Sequence, residues 1–136
     1  MDAVGLSDFE QRVILQEAAG GDATNVLLVI PSRTQPGVPF EIGVSLLDAD
    51  MLPCCCGSDP LRLLPGAGLG RGTTLAFRAG EVAACRVPGA CLPGEGLFRV
   101  CAEYGGRQFF SNPTVCRADT SIPLFWGDPH IHTILS

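Results

Sequence analysis

His130 and His132 are the two histidines of this chain, and they stand one residue apart in its final stretch, LFWGDPHIHTILS. In an extended segment such a pair projects from one face, with Cα atoms about 6.5–7 Å apart. Two neutral imidazoles at that separation can converge on one ion or on adjacent ions, and they suit Zn, Fe, Mn or Ni alike. Asp128 falls on the same face, where a carboxylate can orient a ligating imidazole or join it as a ligand. Thr133 and Ser136 can cap a following turn or helix. By itself a bare His-x-His carries little weight, because histidines near a chain end are ordinarily solvated.

The cysteines are the other candidates for chemistry. There are seven, with Cys54, Cys55 and Cys56 contiguous and Cys85, Cys91, Cys101 and Cys116 scattered. Zinc sites usually take cysteines in closely spaced pairs, so that two sulfurs meet one ion, and that spacing is missing here. The triple-cysteine stretch lies between Pro53 and Gly57 and reads as a loop. No His or Lys stands nearby to lower its pKa. The expected role of the thiols is that of small buried hydrophobes. The stretch PGAGLGRG lacks the following Lys-Ser/Thr of a phosphate-binding loop and reads as an ordinary turn.

The elements that would carry these residues are short. The chain has 136 residues, enough for one domain with a real core. Hydrophobic residues make up 46% and charged residues 17%, a balance that favours folding over disorder. Seventeen glycines and eleven prolines interrupt it every few residues, which favours strands joined by turns. The net charge is −5, and all nine basic residues are arginine. An acidic chain without a basic cluster is a poor grip for phosphate backbones, so nucleic acid is not an expected partner. No apolar run nears the roughly 18 residues that span a bilayer, so no membrane association is expected. The opening MDAVGLSDFE lacks the basic and apolar regions of a secretory signal, so the expected location is the cytoplasm.

Residues 1–25 form an N-terminal segment in which Ser7 to Ala18 can make a short helix. Ser7 and Glu10 match a capping box, and Phe9, Val13 and Ile14 share a helical face. A strand through RVILQ is the competing reading. Residues 26–117 read as a mainly β domain. NVLLVIP is a buried strand, and SRTQPGVP is rich in turn formers. FEIGVSLLD follows, with Phe40, Ile42, Val44 and Leu46 on one face and Glu41, Gly43 and Ser45 on the other. LRLL, TTLAFRA and VAACRV are further strand candidates. In GLFRVCAEYGGRQFF, Phe98, Val100, Ala102 and Tyr104 alternate with Arg99, Cys101 and Glu103. Gly105-Gly106 supplies the positive φ of a two-residue turn. Asn112-Pro113 then breaks the ladder, and TVC can resume it. Six to eight short strands at this spacing suggest an antiparallel, immunoglobulin-like β-sandwich, although the antibody-type Cys…Trp…Cys core is absent. Residues 118–123 read as a polar linker, and residues 124–136 begin something new.

The string FWGDPHIHTILS resembles the opening motif of PHP-like metallohydrolases, named for the polymerase and histidinol phosphatase domain. It is closest to an uncharacterised bacterial branch in which a β-sandwich precedes Trp-Gly-Asp-x-His-x-His-Thr-x-x-Ser. Here those positions are Trp126, Gly127, Asp128, His130, His132, Thr133 and Ser136. Upstream, Ser111-Asn112-Pro113 matches the Ser-Asn-Pro step that commonly follows that branch's last sandwich hairpin. The resemblance is specific over about residues 94–136 and architectural over residues 26–93. Pro129 departs from it, standing where the family more often has an aliphatic residue; proline removes a ladder hydrogen bond there.

The resemblance implies a barrel-like catalytic domain whose first strand delivers His130 and His132 as metal ligands at its C-terminal end, supported by Asp128. Further ligands would come from later strands. A barrel of that kind needs on the order of 200 residues, so the sequence is expected to be truncated just as its catalytic domain, its missing partner, begins. The implied activity is metal-dependent hydrolysis, phosphoesterase-like, of an unknown small molecule. The implied cofactor is a divalent metal (Zn, Mn or Fe), held poorly and without activity by this chain alone. The alternative is a non-catalytic β-sandwich that binds a protein or saccharide through loops such as MLPCCCGSDP and LPGAGLGRG.

Overall fold

The computed structural model describes residues 4–5, 7, 22–54, 59–66, 72–77 and 81–119. Among them the chain is all strand and turn, with eleven strands and no helix. In chain order these are β1 (Val4–Gly5), β2 (Asn25–Val29), β3 (Arg33–Thr34), β4 (Phe40–Leu47), β5 (Leu61–Leu63) and β6 (Thr73–Leu75). Then follow β7 (Ala84–Ala90), β8 (Gly96–Phe98), β9 (Cys101–Tyr104), β10 (Arg107–Phe110) and β11 (Thr114–Cys116). The helix expected over Ser7 to Ala18 lies, Ser7 apart, outside the described residues.

The strands form three sheets, ordered β1-β7-β4-β2, β10-β9-β5-β6 and β3-β11-β8. Every pairing is antiparallel except β3 with β11, and no sheet closes into a barrel among the described residues. The first two sheets, here sheets I and II, share one core. Sheet I contributes Val26, Leu28, Ile42, Val44, Leu46, Cys85 and Val87; sheet II contributes Leu61, Leu63, Leu75, Ala102 and Tyr104. The arrangement is sandwich-like.

Period-two patterning explains which face each strand buries. On β4, Ile42, Val44 and Leu46 are buried while Glu41 is exposed. A slip of one residue would exchange those sets, so the pattern fixes the register. Phe40 is only half-buried but packs on the core. On the hairpin arm Val100, Ala102 and Tyr104 are buried, Arg99 is exposed and Glu103 is half-exposed. Glu103 lies opposite Arg62 of β5 and pairs with it at 3.5 Å.

Four details differ from the sequence reading. The run from Gly96 to Tyr104 is not one strand. It breaks at Arg99 and Val100, so that β8 pairs with β11 while β9 pairs with β10 and β5. Phe98, expected in the core, is half-buried because it belongs to the third sheet. The strand begun by VAACRV continues through Pro88 and Gly89. Opposite it, Ile42 pairs with Val87 and Phe40 with Ala90, so β7 spends three steps where β4 spends two. That extra residue is a bulge. Gly89 at φ 83° supplies the left-handed conformation, and Pro88 sits where no ladder donor is needed. The turn-rich segment after β2 also contains β3, which pairs in parallel with β11.

Candidate functional site

Asp128, His130 and His132, with Thr133 and Ser136, lie outside the described residues. What is described is the corner from which the chain runs toward them. β10 ends at Phe110, and Ser111-Asn112-Pro113 carries the chain from sheet II into the third sheet. Each residue of this step has a task. The Ser111 hydroxyl accepts from the Val100 N–H at 2.9 Å and donates to the Asn112 carbonyl at 2.8 Å. The Asn112 carboxamide serves Ile30 twice: Oδ1 accepts from its N–H at 2.9 Å and Nδ2 donates to its carbonyl at 2.8 Å. It thereby replaces a strand neighbour for Ile30 just where Pro113 cannot donate.

The following strand is tied on both sides. Thr34 and Thr114 are buried, their hydroxyls 3.1 Å apart. The Val115 and Arg117 amides donate to the carbonyls of Ser32 and Thr34. Beyond β11, the Ala118 amide donates to Glu95 Oε1 at 2.9 Å, and the Arg33 guanidinium donates to the Asp119 carbonyl. The chain is thus held by backbone and side chain up to the last described residue.

The described thiols are structural in character. Cys54, Cys85 and Cys116 are buried, and none of the five described cysteines is in a disulfide. Burial pushes the Cys85 thiol from its ordinary 9.0 up to about 11, so it is neutral and unreactive at physiological pH. Burial, and then the nearby Glu103 carboxylate, also raises the Cys101 thiol. Cys55 and Cys56 lie outside the described residues. Among the described residues no group of three or more His, Cys, Asp and Glu could hold a metal ion, and no helix is long and apolar enough to cross a membrane.

One concavity was not anticipated from the sequence. It is a recess of about 350 Å³ on the side of sheet I turned away from the core, lined by Leu27, Ser45, Leu47, Pro53, Val82 and Ala84 among others, with Arg86. Its floor is low because Gly43, Ser45 and Ala84, side by side on β4 and β7, carry little or no side chain. The signal in the sequence was the set of small residues at the outward positions of two strands, but their adjacency follows only from the pairing. Compared with protein-family models, with curated proteins and with solved structures, the chain has no match.

Proposed function

We propose that this chain is the accessory β-sandwich and first metal-binding segment of a PHP-like, metal-dependent hydrolase acting on a phosphoester or similar small molecule. The observation that carries the reading is the string Trp126-Gly127-Asp128-Pro129-His130-Ile131-His132-Thr133, placed shortly after a strand module whose last hairpin runs into Ser111-Asn112-Pro113. The sandwich-like sheets support the architectural half of the reading, and we take its finer form to be immunoglobulin-like. His130 and His132 would hold a divalent Zn, Mn or Fe ion, with Asp128 fixing the orientation of an imidazole or joining as a ligand. Such an ion, when bound, activates water and polarises the ester. The remaining ligands would come from later strands, outside this sequence.

Two imidazoles leave most of a coordination sphere to water, whereas tight zinc sites use about three or four protein ligands. Isothermal titration of the chain with Zn²⁺ and Mn²⁺ should therefore show weak binding that disappears in His130→Ala/His132→Ala. Tight one-to-one binding lost in that variant would overturn the claim that the site needs further ligands. The enzyme reading itself is tested in a chain that carries the proposed later strands. There the double variant should abolish phosphoester hydrolysis, and unchanged turnover would refute the assignment.

A second reading is favoured by one observation. The apolar recess on sheet I is a surface a non-catalytic binding module would need.

A further inference from the structure

The outer face of sheet I departs from the polar surface that a solvated sheet usually presents. Across its middle, Gly43 lies between Val29 and Arg86, and two residues along, Ser45 lies between Leu27 and Ala84. The β2 wall is apolar and open to water, with Leu27 46% and Val29 51% exposed. Pro53 and Val82 line the recess alongside Leu47. A shallower depression bounded by Pro31, Pro39 and Phe40 shares Gly43 and Arg86 with it, so the two run together along β4.

The recess is chemically lopsided. Arg86 is the one charged side chain among its described lining residues. Arg86 makes no ion pair with a described carboxylate, the described pair being Arg62 with Glu103. Glu41 is absent from the recess lining, although it shares the shallower depression with Arg86. Arg86 sits opposite Gly43, whereas Leu47 is four residues further along β4, a separation of roughly 13 Å at strand rise. A cation thus stands at one end of this recess. Beyond it the apolar surface left in water is that of Leu27, 46% exposed, and of the half-buried Pro53, whereas Leu47 and Val82 are themselves buried. Keeping apolar surface in water costs about 25 cal/mol per Å². The complementary occupant is a flexible apolar tail with a single negative charge at its head. One guanidinium balances one carboxylate and can bind it in bidentate fashion.

We propose that this recess binds a medium-chain monocarboxylate, its head on Arg86 and its tail lying over Ser45 and Ala84, against Leu27 and toward Pro53. The proposal does not depend on the metal motif.

Octanoate titrated into the whole chain, followed by calorimetry and by backbone amide shifts, tests it. Octanoate should bind one-to-one and move the amides of Gly43, Ser45 and Arg86 while leaving that of Arg62 in place. Arg86→Gln should weaken octanoate about tenfold, as expected for losing a charge-assisted contact, and leave 1-octanol unaffected. Ala84→Leu and Ser45→Leu fill the floor and should abolish both ligands. If either variant folds poorly, the amide map of the wild-type chain decides. The proposal is overturned if millimolar octanoate shifts none of those amides, or if Arg86→Gln binds it as the wild type does. A wild-type dimer that takes up no octanoate would assign the face to a second copy, and a monomer that takes up none would assign it to other residues of this chain; either result overturns the proposal.

Discussion

At the scale of single residues, Asn112 and Cys85 show how a side chain's surroundings set what it contributes. Asn112 gives the buried Ile30 both a donor and an acceptor. Asn112→Ala should therefore cost about 1–3 kcal/mol for each group left unpaired, read as a fall in the urea midpoint. Surface substitutions away from such features usually stay within about 0.5 kcal/mol, so a change that small would show that water replaces the carboxamide. Cys85 makes stability depend on pH in a direction fixed by its burial. Below its ordinary pKa of 9.0, folded and unfolded chains both hold the proton, and Cys85 adds no pH dependence. Between 9.0 and about 11 only the unfolded chain loses it, so the folded state becomes less stable as pH rises. Across that window the wild type should lose stability more steeply than Cys85→Ala in parallel denaturation curves. Equal slopes would mean that the thiol is hydrated in the fold.

Single elements were legible in the sequence wherever local chemistry alone decides them. Gly105 and Gly106 have φ of 56° and 75°, the two positive values of a type I′ hairpin turn. Valine at both positions should cost roughly 1–2 kcal/mol per residue, measured as a loss of unfolding free energy, and an unchanged midpoint would count against the turn. The alternation on β4 was equally readable because one face is buried from Ile42 through Val44 to Leu46. What could not be read were the points where sheet membership changes. Gly96 to Tyr104 keeps a continuous alternation, and nothing local marks the break at Arg99 and Val100. That break is set by the partners β11 and β5, which are distant in sequence. The bulge at Pro88-Gly89 escaped for a related reason: a Pro-Gly pair can end a strand or bulge one, and only the β4 register distinguishes the two cases.

For the molecule as a whole, the two candidate sites differed in legibility. The His130/His132 pair is local in sequence and was visible at once. The recess brings together β2, β4 and β7, so it exists only after pairing. Among the described strands the same sheet ends in β2, whose outward residues Leu27 and Val29 are exposed in a chain without lysine. Edge strands of that kind invite pairing between molecules, and a lysine is a common guard. Val29→Lys should raise the concentration at which the protein begins to aggregate while moving stability by no more than about 0.5 kcal/mol, as light scattering and urea unfolding would show. A lower aggregation threshold would place the hazard elsewhere. The seating of β11 has a mechanical consequence. It lies between β3, which runs parallel to it, and β8, which runs antiparallel. Tension applied through residue 119 acts along the axis of β11, across hydrogen bonds that run sideways to its neighbours. Those bonds must then fail together rather than one after another, so tension along β11 loads its pairings with β3 and β8 at once instead of peeling it away from them.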